Sequence, residues 1–322
     1  MRNSSVSKSV VLDSSIIENV LAKEFSEDVF SLLSRECLFT NMVHLGGNVP
    51  RLVCIQGEIN QDGDAPIYRH PIDKQPKMHE FSRTVNKIRH ICSSLVGHNL
   101  NHALIQLYRT GEDYISEHAD KTIDIQRGSS IVNFSTGAKR TMLLRPKRMS
   151  NSGRTPIPRK TIRVPLPHNS LFVLGWNTNL KMTHAIRPDK RPMSLRSEDE
   201  KAYNCSRISI TFRNVATYIT REGFLYGQGA VFKLKKTISE TIKPPQGIPL
   251  LQLVKAFSQE NRNMDFDWDS TYAKGSNVIS FPSDTGATHS VRHSFARVMN
   301  SLVPVLLFVP IPIFREFFSI MR

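Results

Sequence analysis

Residues 103–120, ALIQLYRTGEDYISEHAD, read as two extended runs joined by a turn. Leu104, Ile105, Leu107 and Tyr108 are strand formers, and Thr110-Gly111-Glu112-Asp113 turns the chain. Tyr114-Ile115-Ser116 then resumes an extended path that delivers His118 and Asp120. Side chains two apart in a strand share a face, so His118-x-Asp120 aims an imidazole and a carboxylate at one point. Those are two of the three ligands of a facial two-histidine, one-carboxylate metal site. A lone His-x-Asp pair is common on protein surfaces, so its surroundings must decide the matter.

Before this stretch, Phe81, Val85, Ile88, Cys92 and Leu95 recur at helical spacing and Gly97 ends the run. Ser15-x-x-Glu18 has the form of a capping box opening a helix, and Ser26-Glu27-Asp28 is a second start signal. Leu52-Val53-Cys54-Ile55 predicts a strand, and residues 60–79, with Gly63, Pro66, Pro71 and Pro76, predict a loop. After it, short strands are expected over 129–135, 140–145, 161–164, 170–175 and 207–213. Strands at that density, flanked by earlier helices, predict a mainly β, two-sheet α+β domain. Residues 146–160, basic and rich in Pro and Ser, and 187–203 are expected as loops. Leu250, Leu251, Val254 and Phe257 suit one helix, and Phe266-Asp267-Trp268 a small aromatic dock.

The chain of 322 residues has room for one large domain, or one domain and an appendage. Its net charge of +15, from 43 Lys+Arg against 28 Asp+Glu, favours polyanionic partners or anionic substrates. Cys37, Cys54, Cys92 and Cys205 are scattered and suit reduced thiols of an intracellular protein, nuclear or cytoplasmic. No secretory pattern opens the chain. The apolar stretch Leu302–Phe314 is broken by Pro304, Pro310 and Pro312 and falls short of the ~20 residues of a membrane span, so no membrane anchor is expected. A monomer is expected.

A facial site needs a second histidine. His184 follows the strand-like Ser170–Leu174, while His102, at the head of the central strand, is a weaker rival. In Arg207-Ile208-Ser209-Ile210-Thr211-Phe212-Arg213, alternation puts two arginines and two hydroxyls on one face and three apolar residues on the other. Arginine suits two-pronged recognition of a carboxylate, although a salt-bridged outer strand face would look the same.

The order His118-x-Asp120, His184, Arg207-x5-Arg213 resembles the AlkB-like Fe(II)/2-oxoglutarate dioxygenases. LIQLYRTGEDYISEH, GSSIVNFSTG and LPHNSLFVL match as well, and the likeness covers roughly residues 48–217. It implies a double-stranded β-helix, or jelly-roll, with Fe(II) on His118, Asp120 and His184. By the same likeness, 2-oxoglutarate would take two of the open metal positions and O2 the third. Arg207 matches the arginine that clamps the far carboxylate of 2-oxoglutarate, Tyr108 a tyrosine donor to it, and Arg213 the second arginine near the keto-acid end. Gln106 stands where the family's repair enzymes carry Asn and keeps the amide. Arg51 and Tyr68 fall at substrate-lid positions. One departure touches substrate reading: two positions beyond Asp120, where those enzymes carry an acid, stands Thr122, and Asp124 lies further on.

The resemblance implies oxidative demethylation of alkylated nucleic-acid bases, with nucleic acid as partner. The alternatives are a small-molecule, secondary-metabolite oxygenase on the same core and, more remotely, an inactive nucleic-acid-binding module. The expected organisation is a flexible lead-in over 1–12, the dioxygenase domain over 13–220, and a partly ordered extension over 221–322. Fungal-type members carry similar extensions, here GQGA at 227–230 and FDWD at 266–269.

Overall fold

The computed structural model describes residues 7–44, 47–149, 159–240 and 246–279. In chain order its strands are β1 (Ser7–Val11), β2 (Ser14–Glu18), β3 (Thr40–His44), β4 (Gly47–Gly57), β5 (Ala65–Pro66), β6 (Asp73–Lys74), β7 (Met78–Glu80), β8 (His102–Tyr108) and β9 (Ile115–His118). There follow β10 (Ile131–Gly137), β11 (Arg140–Pro146), β12 (Ile162–Leu166), β13 (Ser170–Leu174), β14 (Met182–Ile186), β15 (Arg207–Arg213), β16 (Thr217–Ile219) and β17 (Leu225–Gly227). The helices are α1 (Lys23–Glu36), α2 (Arg83–Val96), α3 (Trp176–Lys181), α4 (Glu198–Lys201), α5 (Thr237–Glu240), α6 (Leu250–Arg262) and α7 (Trp268–Tyr272).

The major sheet runs β1-β2-β13-β10-β15-β8-β4-β3-β6, with β7 alongside β4; the minor sheet runs β12-β11-β14-β9. From β8 to β15 the chain passes back and forth between these two sheets. Strands β8, β10, β13 and β15 lie in the major sheet, and β9, β11, β12 and β14 in the minor one. That alternation is the double-stranded β-helix expected from the sequence.

Strand β15 sits in the middle of the major sheet, and all seven of its residues are buried. Ile208, Ile210 and Phe212 face outward into a core with Val29 and Leu33 of α1 and Val85, Ile88 and Cys92 of α2. Each such side chain withdrawn from water contributes about 1.5–3 kcal/mol. The other face, Arg207, Ser209, Thr211 and Arg213, therefore points between the sheets, beside a second core of Ile131, Met142, Leu144, Phe172 and Leu174. The salt-bridged outer face is excluded. Helix α2 ends as expected at Gly97, whose φ of 74° closes it in the left-handed region.

Two local expectations fail. Ser15-x-x-Glu18 opens no helix: Ser14–Glu18 is β2, paired with β13 through Ile17↔Leu171 and Ile16↔Phe172. Period-two alternation lets Ile16 enter the inner core and Ile17 the outer one, two burials a helix face could not serve. The helix begins later, at Lys23. Residues 7–11, expected within a flexible lead-in, form β1 against β2.

The four cysteines are free and buried. Among the described residues no helix is long and apolar enough to cross a membrane. The apolar stretch 302–314 lies outside the described residues.

The expected boundary at 220 falls inside the β16–β17 hairpin. Beyond it, Leu253, Ala256 and Phe257 of α6 bury themselves with Tyr272 against Ile123 of the jelly-roll, and Phe266 and Trp268 pack on Tyr272. Arg69, fully buried, bonds Asp124 with Nε and Nη2, the latter at 2.7 Å. It also donates to the carbonyls of Gly229 and Ser276. Asp124→Asn should strand that guanidinium without a counter-charge. Urea unfolding should show a loss of about 3–5 kcal/mol, and a loss under ~1 kcal/mol would mean the pair does not hold these segments together.

Candidate active site

Strand β9 pairs with β14 so that His118 and His184 lie directly opposite each other. Their rings stand 4.3 Å apart between centroids, and His118 Nε2 is 3.9 Å from Asp120 Oδ1. One ligand atom from each of His118, Asp120 and His184 falls within 4.8 Å of the others. His102 lies outside this group, across from Arg213 on β8. His118 Nδ1 donates to the Ser116 carbonyl at 2.8 Å, which leaves its Nε2 lone pair free. Burial pushes His118 well below the usual imidazole range and His184 down to about 4, so both rings are neutral near pH 7. Burial, the largest single influence, would raise the Asp120 carboxyl, but the Arg213 guanidinium and the neighbouring His184 and His118 together outweigh it and hold the group at about 2. Two neutral imidazoles and a carboxylate are the donor set a divalent iron needs.

Asp120 is oriented by Arg213, whose Nε and Nη2 grip Oδ2 at 3.0 and 2.9 Å and leave Oδ1 to face the histidines. The loop carrying Asp120 is buried and has no sheet partner, yet four successive backbone N–H groups are satisfied by side chains. Ala119 N–H donates to Asn261, Asp120 N–H to Asn179, Lys121 N–H to the Tyr68 hydroxyl and Thr122 N–H to Glu260, all at 2.8–3.0 Å. Asn179 Nδ2 also returns a bond to the Asp120 carbonyl. A buried N–H left unpaired is costly, so these four side chains set the position of the ligand loop.

Below the triad lies the polar face of β15. Register sets Arg207 opposite Tyr108, and the guanidinium carbon lies 5.3 Å from that ring's centroid. Arg207 Nη2 donates to Asn133 Oδ1 and Ser135 Oγ at 3.0 and 2.8 Å. Its Nε and Nη1, buried, meet no acceptor, and neither does Arg213 Nη1 or the buried His184 Nδ1. Burial lowers Arg207 to about 10, which still leaves it cationic at pH 7. Unmet N–H donors on a buried cation call for an anion, and a dicarboxylate bridging Arg207 and the triad would supply one. The pocket is completed by Gln106, Asn133, Ser209 and Thr211 on its polar side and by Ile115 and Phe172 on its apolar side. These residues fit Fe(II) and 2-oxoglutarate.

The two lid candidates are engaged inside the fold. Arg51, buried, donates to Gln106 Oε1 at 2.6 Å and to the Tyr114 carbonyl. Tyr68 holds the Lys121 N–H and lies under the Arg213 guanidinium, 4.1 Å from ring centroid to carbon. Asp124 is tied to Arg69 and cannot take over from an acid at position 122. A carboxylate does stand there: Glu260 Oε1 accepts from Thr122 N and Oγ1 at 2.9 and 2.5 Å, while Oε2 accepts from Tyr272. Glu260, Asn261 and Asn179 escaped the sequence reading, since nothing local marks an Asn or Glu on a helix as belonging to a loop far away. Lys147 escaped it too; burial draws its ammonium down to about 7, and it makes no hydrogen bond.

The profile described as the 2OG-Fe(II) oxygenase superfamily matches residues 13–213. Human DNA oxidative demethylase ALKBH2 is 30% identical over 132 residues, covering 41% of this chain and 46% of its own. Human alpha-ketoglutarate-dependent dioxygenase alkB homolog 3 is 28% identical over 169 residues, 52% of each chain. The chain spans about half the length of the curated relatives it matches. The solved structure of OsALKBH1 aligns with 65% of this chain and all of its own at 15% identity, with a TM-score of 0.41.

Two substitutions separate the parts of this site. Arg207→Lys keeps the charge and loses the planar fork, and should weaken 2-oxoglutarate about 10–100-fold while metal affinity stays put. Asn261→Ala should do the reverse, loosening the Asp120 loop and weakening Mn(II), used as an iron surrogate, about 10-fold. Anaerobic calorimetry reads both; equal effects on the two ligands in either variant would mean that the variant acts through general unfolding.

Proposed function

The chain belongs to the 2OG-Fe(II) oxygenase superfamily as an AlkB-like member, and from that premise we propose that it demethylates alkylated bases in nucleic acid. Bound Fe(II), with 2-oxoglutarate and O2, supplies oxidative hydroxylation of a C–H bond, with the 2-oxoglutarate leaving as succinate and CO2. In this reading His118, Asp120 and His184 hold the metal, and Asn179 and Arg213 keep the Asp120 carboxylate turned towards it. Arg207 takes the far carboxylate of 2-oxoglutarate on its free Nε and Nη1, and Tyr108 and Asn133 close the walls around it. The apolar side, with Ile115 and Phe172, excludes water from the reacting end. An N-methyl group hydroxylated here becomes N-hydroxymethyl, which breaks down to formaldehyde and the unmodified base.

The observation that carries the substrate class is the segment 145–163, with seven Lys or Arg and no acid. It begins within β11 at Arg145, one residue past Leu144, which pairs with His184, and among its described cations only Lys147 is deeply buried. Phosphates attract such a run without regard to sequence, which would favour nucleic-acid binding whatever reads the base. A base in duplex would have to be turned out of the stack to reach the metal.

Formaldehyde release from 1-methyladenine and 3-methylcytosine oligonucleotides tests the proposal. Release coupled to succinate is expected, along with single-strand affinity that falls steeply between low and high salt. Succinate without formaldehyde, and oligonucleotide binding that is absent or indifferent to salt, would transfer the reading to a small-molecule oxygenase on the same core.

A further inference from the structure

A second set of metal-ligating side chains lies apart from the catalytic triad. His44 ends β3 and Asp73 begins β6, and the two are direct partners in the strand register. His70 joins them through the turn His70-Pro71-Ile72-Asp73, closed by Asp73 N–H donating to the His70 carbonyl at 2.8 Å. Pro71 at its second position fixes the backbone in the conformation this turn requires. Strand pairing and turn together bring three donors to one spot.

Both imidazoles present Nδ1 to the same carboxylate oxygen, Asp73 Oδ1, at 2.5 Å from His44 and 3.2 Å from His70. The three ligand atoms lie within 4.8 Å of one another. His70 Nδ1 is buried and stands 3.2 Å from Asp73 Oδ1 without the geometry of a hydrogen bond, although its ring still helps hold that carboxyl below the usual range. A simple hydrogen-bonded His–Asp–His bridge would use that nitrogen as a donor. A metal would use its lone pair.

We propose that His44, His70 and Asp73 form a zinc site, distinct from the iron centre, with solvent in the fourth position. Two imidazoles and one carboxylate are a three-ligand set that Zn(II) adopts readily. Tetrahedral zinc with bonds near ~2.0–2.1 Å spaces its donors about 3.3 Å apart. The His70 contact already has that spacing. The His44 contact must open, and His44, 40% exposed, has the freedom to turn outward. The ring of Phe257 from α6 backs the site, 5.7 Å from His70. Zinc here would pin β3, the His70–Asp73 turn and α6 to one another.

The test uses the full chain, stripped with chelator and titrated with Zn(II) against a chromogenic competitor. Wild type should take two equivalents, and His118→Ala/Asp120→Ala should retain one. His44→Gln, a mild change at the exposed ligand, and His70→Asn should each weaken that retained equivalent about 100-fold in the double-variant background. Zn(II) should raise the melting temperature of the double variant but not of either derived triple variant, whose metal-free melting should match their parent's. Co(II) in the double variant should give the visible bands of a four-coordinate centre. The site is refuted if the double variant takes up no Zn(II), or if neither His44→Gln nor His70→Asn alters its uptake. All three readouts are independent of oxygenase turnover, so failure of the zinc site and failure of the demethylase reading are separate results.

Discussion

The ion pair between Arg213 and Asp120 is the constraint on which the catalytic end of the fold depends. Arg213 closes the central strand of one sheet, and Asp120 sits just beyond a strand of the other. Both are almost wholly buried, where an unpaired charge would cost several kcal/mol. Pairing removes that cost and fixes one carboxylate oxygen, which leaves the other to the metal. The same guanidinium rests on Tyr68, and Tyr68 in turn holds the Lys121 N–H. One buried cation thus sets the distance between the sheets, the rotamer of a ligand and the path of the loop that bears it.

That loop also explains why residues beyond the jelly-roll belong with the site. A β-helix of eight strands supplies backbone partners along its strands but none at positions 119–122, where the chain leaves the sheet. Two of those four N–H groups are met from within the roll and its lid segment, by Asn179 and Tyr68. The other two are met only by α6. The region after 220 is therefore part of what holds the ligand geometry, and its apolar packing on Ile123 is the anchor that makes those two contacts dependable.

Much of this was legible in sequence because it is written in local period. The alternation of RISITFR gives a strand with a polar face, and burial of its apolar face by α1 and α2 turns that polar face inward. His118-x-Asp120 is likewise a two-residue spacing on one strand. His184, and not His102, lies opposite His118 in the strand register. What was illegible is what depends on partners far off in the chain. Ser15–Glu18 carries a sound helix-start pattern, overridden because Ile16 and Ile17 are wanted by two different cores. Glu260 bonds Thr122 from 138 residues away, and no spacing rule reaches across that separation. His44 carries no local mark of a ligand, since only strand pairing shows that it faces Asp73.

The separation itself governs how the protein comes into being. Thr122 waits for a partner 138 residues downstream. At synthesis rates of roughly 5–20 residues per second, that interval is on the order of 7–28 s. During it the nascent chain can complete the β-roll and its ion pair, while the N–H groups at 119 and 122 remain open to water. Contacts of such long sequence separation form late in folding. The ligand loop therefore has its full set of partners only once α6 has left the ribosome, and until then positions 119 and 122 lack the side chains that fix them.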